Sequence, residues 1–300
     1  MDTKVGPTGP GTFPPDATVT CTYLKKKIGG GTPKFACVIR PDDEVKVKFG
    51  PSNGEVFAEV AATRLFWALG FGADRVYPVR VVCHGCPSSI RGTEMASIQR
   101  KMPAKDIETA KGSGWGWPEL DLVDPAVGGA PQAQRDALKL LAVVIQHTDS
   151  KPEQQRLICR RKHDKRTDGK PCLEPFMRVH DLGQTFGHAN TFNRDAEGSV
   201  NLEEWSRAPI WRDTQSCVAH QSKSASGTLD NPVISDEGRT FLADLLAQLT
   251  DTQLRDLFVV ARFPRRSTTT DASPDTTTID QWVDAFKQKR NEVVNRTCPG

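Results

Sequence analysis

The alternating stretch "EVKVKFG" at 44 to 50, followed at once by "PSNGEVFAEVAATRLFWALGFG", constrains this chain more than any other feature. The first segment has the period of a half-buried strand, with Val45, Val47 and Phe49 on one face and Lys46 and Lys48 on the other. The second is punctuated as a helix: Ser52 and Glu55 make an S-x-x-E capping box, and Gly70 stands where a C-terminal cap belongs. If Glu55 reaches back to the cap, Glu59 lies one turn further on and is available to a partner from the neighbouring sheet. A lysine-bearing strand and a glutamate-bearing helix are thereby placed side by side.

The surroundings divide the chain into a strand-rich and a helical part. "TVTCTYLKKK" and "KFACVIR", with "IGGGTP" between them, read as two strands; "RVYPVRVVC" is another, and "MASIQRKMP" a further one. Residues 1 to 18, rich in Pro, Gly and Thr, are expected to form a loose tail, and residues 19 to 103 a β-rich lobe. After an irregular Gly-, Pro- and Trp-rich connector, residues 104 to 300 read as mainly helical. "PQAQRDALKLLAVVIQ" places Ala137, Leu138, Leu141, Ala142 and Ile145 on one helical face. "QRLIC" and "FMRVHDLG" read as two short strands of a long hairpin, and helices follow at "DEGRTFLADLLAQL", "TDTQLRDLFVVARF" and "IDQWVDAFKQKRNEVVN". Thr250 and Gln253 cap the second of these, and "RRSTTTDASPDTTT" is expected to be a mobile loop. The fold class is therefore α+β, in two lobes.

Composition excludes several classes of function. With 300 residues and 37% hydrophobic side chains the chain can bury a core, and 40 basic against 37 acidic residues leave no global field that calls for nucleic acid. No apolar run reaches the length of a membrane span, and the first twenty residues lack the apolar centre of a signal peptide. A soluble chain is expected. The eight cysteines fall into couples: Cys21 with Cys37, Cys83 with Cys86, Cys159 with Cys172, and Cys217 with Cys298. Disulfides in an oxidising compartment are one reading, which would favour an extracytoplasmic or secreted protein. Buried thiols or metal ligands are the other, and "CHGC" alone is half a zinc site.

The stretch "HTDSKPEQQ", from His147 to Gln155, puts an acid, a base and amides directly after a buried helix, in the pattern D-x-K-x-x-Q. Asp181 follows in "HDLG". Glycine loop, strand lysine, helix glutamate, D-x-K-x-x-Q turn and Asp-Leu-Gly come in the order of the protein-kinase-like superfamily, which the chain resembles over residues 20 to 190. The resemblance implies a two-lobed kinase-like fold that binds ATP with Mg2+ or Mn2+ and phosphorylates a hydroxyl acceptor, on a protein or a small molecule. It assigns Gly29, Gly30 and Gly31 to the phosphates through their backbone amides, and Lys48, with Lys46 as fallback, to the α- and β-phosphates. Glu59 would orient Lys48, Asp149 would take the acceptor's proton, and Lys151 would neutralise the moving γ-phosphoryl group. Gln154 and Asp181 would hold the metal.

The departures from the family pattern are as informative. Gln154 replaces an asparagine, "HTD" lacks the arginine of H-R-D, no A-P-E follows, and the glycines are not spaced as G-x-G-x-x-G. The pattern is closer to atypical branches, HipA-like or secretory-pathway-kinase-like. Three other readings stay open: a pseudokinase serving as a nucleotide-binding or interaction module, nucleotidyl transfer (AMPylation) on the same scaffold, and a zinc module built on "CHGC". The bland alternatives are a solvated lysine face, a Glu59 paired with Arg64 or Arg91, and a hairpin tip for the basic "RRKHDKR" at 160 to 166. Core packing is expected of the tryptophans at 115, 117, 205 and 211, and a structural role of His147.

Overall fold

A computed structural model of the protein describes residues 2–107, 114–160, 172, 174–188, 198–213, 215–221, 223–267 and 276–298. Strands β1 (Ala17–Leu24), β2 (Lys34–Val38) and β3 (Glu44–Phe49) precede helix α1 (Glu55–Ala68). After it come β4 (Gly72–Ala73), β5 (Arg75–His84), β6 (Ala96–Arg100) and β7 (Lys105–Asp106). Then follow α2 (Gln132–Val144), β8 (Gln155–Cys159), β9 (Pro175–Val179), α3 (Leu202–Arg207), α4 (Asp236–Ala247), α5 (Asp251–Val260) and α6 (Ile279–Val294).

The early strands close into a barrel in the order β1-β2-β3-β6-β5. Its pairs are antiparallel except β1 with β5, which run parallel. Period-two alternation sends Val19, Cys21, Phe35, Val45, Val47, Val79 and Ile98 into the barrel core. Lys46 and Lys48 therefore share the opposite face, where their partners across β6 are Gln99 and Ser97. A second and larger core joins α1 to α2 and α4–α6. Residues Glu55 to Phe66 of α1 are all buried, so this helix is enclosed on every side, between barrel and helices.

α1 belongs to the first hundred residues but packs into the second core, and β4 lies in the small sheet β4-β9-β8-β7. The two parts are thus interlocked on either side of residue 103. Gly70 ends α1 as the sequence predicts: at φ +83° it turns the chain so that the Phe71 N–H reaches Phe66 O.

Two expectations are corrected, and one element is new. Residues 2–16 are packed, not loose: the Thr3 hydroxyl donates to Gln253 O, the Tyr77 hydroxyl to Pro7 O at 2.8 Å, and Arg75 Nη1 to Pro10 O at 3.2 Å. Composition hides this order because it is imposed by long polar side chains distant in sequence. The Ser52–Glu55 box does not form; the N-cap of α1 is Gly54 without a side-chain cap, because Glu55 is drawn into a buried ion pair. The six-residue α3, capped by Asn201, was not anticipated. The Thr250–Gln253 box forms as expected. Most of "RRKHDKR" and of the loop before α6 lies outside the described residues.

All four cysteine couples are disulfides, so the CHGC thiols are not metal ligands. Cys21–Cys37 staples the base of the β1–β2 hairpin that carries Gly29 to Gly31, and Cys159–Cys172 staples β8 to the segment before β9. Cys217–Cys298 spans 81 residues and anchors the end of the chain, whereas Cys83–Cys86 spans 3. Loop-closure entropy makes the long bridge worth about 4 kcal/mol and the short one about 2 kcal/mol. Replacing Cys217 and Cys298 by serine is expected to lower the thermal midpoint more than replacing Cys83 and Cys86; equal midpoints in calorimetry would refute the ranking.

Candidate functional site

A cleft of about 760 Å³ opens where the barrel meets the helical part. Gly29, Gly30 and Gly31 line it from the β1–β2 hairpin, Lys46 from β3, Asp149, Lys151 and Gln154 from the turn after α2, and Asp181 from the segment after β9. The structure thus gathers residues as far apart in the chain as Gly29 and Asp181. Lys48 and Glu59 stand behind this wall, both buried.

The centre of the arrangement is the Lys48 ammonium. It lies 2.7 Å from Glu55, 2.9 Å from Glu59 and 3.1 Å from Asp181. Strand β3 supplies the lysine, two successive turns of α1 supply the glutamates, and the chain leaving β9 supplies the aspartate. The expected Lys48–Glu59 pair is therefore present, and Glu55 is a second acid that sequence reasoning assigned to a helix cap. Its carboxylate also accepts from the Thr32 hydroxyl at 3.1 Å, tying the glycine hairpin to the same cluster. Gly183 makes room for it, since a Cβ there would sit 2.8 Å from Glu55 Cγ.

One cation among three acids leaves excess negative charge in a dry place, and the acids respond differently. Burial pushes the Glu59 carboxyl up to about 7; Lys48 opposes this and Asp181 reinforces it. Burial also acts to raise Asp181, but Lys48, Lys46 and His180, with the Gly183 N–H, hold it well below the usual carboxylate range. Burial acts to lower the Lys48 pKa, and Asp181, Glu55 and Glu59 outweigh it and hold the ammonium well above its ordinary range.

Across the cleft, Asp149 Oδ2 accepts from Lys151 Nζ and from Gln154 Nε2, each at 2.9 Å. The carboxylate is 14% exposed and Lys151 34%, so both reach the cleft. His147 is not part of it. Fully buried, it packs edge-on to Trp117, and burial lowers its pKa to about 4, outweighing Asp149 and Asp181, so it is neutral and structural. The tryptophans at 115, 117, 205 and 211 are core residues, with Trp205 stacked on Trp282. Arg64 donates to Val76 O, and Glu59 is committed to Lys48, so the alternative Glu59–Arg64 pair is absent.

A further polar cluster had no sequence signature. Asp74 bonds Arg178, His180 Nδ1 at 2.7 Å, the Met102 N–H at 3.0 Å and Gln99 Nε2 at 3.0 Å. Arg178 reaches on to Asp106 at 3.0 Å. The cluster joins the end of the barrel, the connector leaving it, and the residue preceding Asp181.

The architecture is α+β: a strand barrel with one enclosed helix, then a mainly helical part, with the strand lysine, helix glutamate and Asp-Leu-Gly aspartate in contact. Compared by sequence, the chain matches no protein-family model and no curated protein. Among solved structures it is similar to the Helicobacter pylori proinflammatory kinase CtkA, at 13% identity and a TM-score of 0.46, over 94% of this chain and 96% of that one. It is also similar to the Rio2 kinase from Chaetomium thermophilum, at 14% identity and a TM-score of 0.32, over 80% and 72%. The ADP/Mg2+-phosphoaspartate complex of that Rio2 kinase matches at 13% identity and a TM-score of 0.30, over 80% and 70%.

The raised Glu59 carboxyl makes stability depend on pH. Its folded pKa of about 7 lies above the ordinary value of 4.5, so its contribution is whole below 4.5 and is lost as pH rises through 7. Glu59→Gln removes this slope. The variant's thermal midpoint, relative to the parent, is expected to rise between pH 5 and pH 8, by an amount equivalent to about 3 kcal/mol at most. Parallel pH profiles for the two proteins would show that Glu59 is ionised throughout.

Proposed function

We propose that this protein is an atypical kinase, transferring the γ-phosphoryl group of ATP to a hydroxyl acceptor with Mg2+ or Mn2+. One observation carries the reading: Lys48, held by Glu59 and Asp181, stands behind a cleft whose opposite wall presents Asp149 beside Lys151. The donors fit the groups this chemistry requires. Asp181 offers an ionised carboxylate and Gln154 an amide, hard oxygen ligands suited to a small divalent cation. The metal, when bound, neutralises charge on the phosphates.

The chain's own residues supply the rest. Gly29, Gly30 and Gly31 leave the hairpin backbone unobstructed over the phosphates, with Gly30 at φ +89°. Lys48, oriented by Glu59, sets a fixed positive charge against the α- and β-phosphates, with Lys46 beside it on the same strand face. Asp149 orients the acceptor hydroxyl and takes its proton as the new O–P bond forms and the β–γ bridging bond breaks, releasing ADP. Lys151 places its charge where the phosphoryl oxygens gather negative charge in transit. The barrel with α1 would form the nucleotide-binding lobe and the later helices the catalytic lobe. The acceptor would be a protein or a small molecule.

A pseudokinase is the second reading, and one contact favours it: Gln154, in place of asparagine, donates to the same Asp149 oxygen as Lys151, so the base is engaged from two sides. For compartment, four disulfides suit an oxidising, extracytoplasmic location. No helix among the described residues is long and apolar enough to cross a membrane.

Thermal-shift titration with ATP, ADP and AMP, with and without metal, tests the reading on the parent and on Asp181→Ala. Stabilisation by ATP that requires metal and vanishes in the variant is expected. Asp149→Asn should keep that stabilisation while ATP turnover falls by about 10²- to 10⁴-fold. Binding without turnover in the parent would mark a pseudokinase, and an AMP-sized in place of a phosphate-sized mass gain on the modified product would mark nucleotidyl transfer. A fully active Asp149→Asn variant removes Asp149 from the mechanism.

A further inference from the structure

Lys34 opens β2 at the foot of the glycine hairpin. Its cross-strand partner on β3 is Lys48, and Lys46 stands opposite Ala36 on the same pair of strands. The next residue, Phe35, belongs to the barrel core, so alternation sends Lys34 to the face shared by Lys46 and Lys48. Three lysines thus meet on one patch of sheet, where like charges placed opposite each other are unfavourable.

The three are not equally neutralised. Lys48 is buried behind the cleft wall and shares its charge among Glu55, Glu59 and Asp181. Lys34 and Lys46 line the cleft itself, and among the described residues neither forms an ion pair. The Lys34 ammonium donates to the Thr32 hydroxyl at 3.2 Å, which uses one of its three hydrogens. Burial, and after it the Lys48 charge, push its pKa down; Glu55 and Asp181 offset this only in part, and Lys46 adds to it. The glycine hairpin closes on this same group: at φ +89° Gly30 passes so near that a Cβ there would sit 2.6 Å from Lys34 Nζ. The missing side chain at position 30 therefore gives the ammonium its place against the loop. What this patch of the cleft lacks is an anion.

We propose that Lys34 is a second phosphate-binding lysine, delivered from β2, whose ammonium contacts the β- or γ-phosphate of the nucleotide beside the glycine hairpin. This rests on the kinase reading above and adds to it a residue outside the motif order, in which the lysine comes from β3. The two strands then divide the task. Lys48 ties β3 to α1 and to Asp181 from behind the wall, while Lys34 meets the phosphates from within the cleft with hydrogens to donate. A bound polyphosphate relieves the repulsion among the three ammonium groups, so binding is favoured by the charge it cancels as well as by the bonds it makes. AMP, which ends at its α-phosphate, gains nothing from Lys34.

The test compares the full chain with Lys34→Met, of similar length but without the charge, in thermal-shift titrations with ATP and AMP, each with Mg2+. ATP affinity is expected to fall about 10- to 100-fold in the variant, the loss of one charge-assisted hydrogen bond, while AMP affinity changes by less than about threefold. A second measurement needs no variant, so a poorly folding Lys34→Met would not decide the outcome: the parent is acetylated with acetic anhydride and the modification of Lys34 is followed by mass spectrometry. ATP with Mg2+ should slow acetylation at Lys34, and adenosine should leave it unchanged. Unaltered ATP affinity in Lys34→Met, an equal loss of ATP and AMP affinity, or a Lys34 acetylated equally fast with and without saturating ATP overturns the assignment and leaves the kinase reading intact. If ATP with Mg2+ does not shift the midpoint of the parent, the kinase reading itself fails and the role of Lys34 with it.

Discussion

The fold depends on one buried ammonium. Lys48 is 1% exposed, and an unpartnered charge there would be strongly destabilising, so the structure has to bring acids to it. It does so from two directions: α1 delivers Glu55 and Glu59 from adjacent turns, and the chain after β9 delivers Asp181. Three elements that need not otherwise meet are thereby held in one arrangement. The same requirement explains why α1 is enclosed on every side, and why residue 183, beside Glu55, has no side chain.

The Asp74 cluster does for the back of the cleft what Lys48 does for its centre. A single fully buried carboxylate gathers a guanidinium, an imidazole, an amide and a backbone N–H. These belong to β9, to the residue before Asp181, to β6 and to the connector. Position 180 is thus clamped at its side chain through Asp74 and at its carbonyl through Gln99, one residue before the aspartate that meets Lys48. Two polar nodes, one charged centre each, fix the wall between them.

Local periodicity made the barrel strands, α2 and the three last helices legible, because each buries one face and declares it at period 2 or 3.6; α1, enclosed on every side, has no such face and was legible from the glycine that ends it. The residues gathered at the cleft were singled out for a different reason: glycine loop, Lys48, Glu59, Asp149 and Asp181 follow an order that carries meaning only together. What stayed hidden was decided by tertiary charge. Glu55 reads locally as a helix cap, and it would serve as one if Lys48 did not claim it. Asp74 is a lone aspartate between two strands, with no neighbour in sequence to hint at the four groups that converge on it. The N-terminal segment is ordered by Arg75 and Tyr77, whose roles no composition count reveals. The two-residue strands β4 and β7 and the single-turn-scale α3 are too short for any period to register.

Glu59 and Asp181 are chemically near-equal acids on one ammonium, and their surroundings make them different. Glu59 is 0% exposed, Glu55 6% and Asp181 21%. The most buried is the one whose pKa rises to neutrality, and the most exposed is the one held firmly ionised. An opposite order would put the proton on the cleft wall and the anion in the core, where it could bind nothing. Environment pushes like groups apart in acidity. Here α1 turns Glu59 inward while the segment after β9 runs along the cleft, so chain topology, through burial at Glu59 and through the Lys48, Lys46, His180 and Gly183 N–H charges gathered at Asp181, decides which carboxylate faces the solvent as an anion.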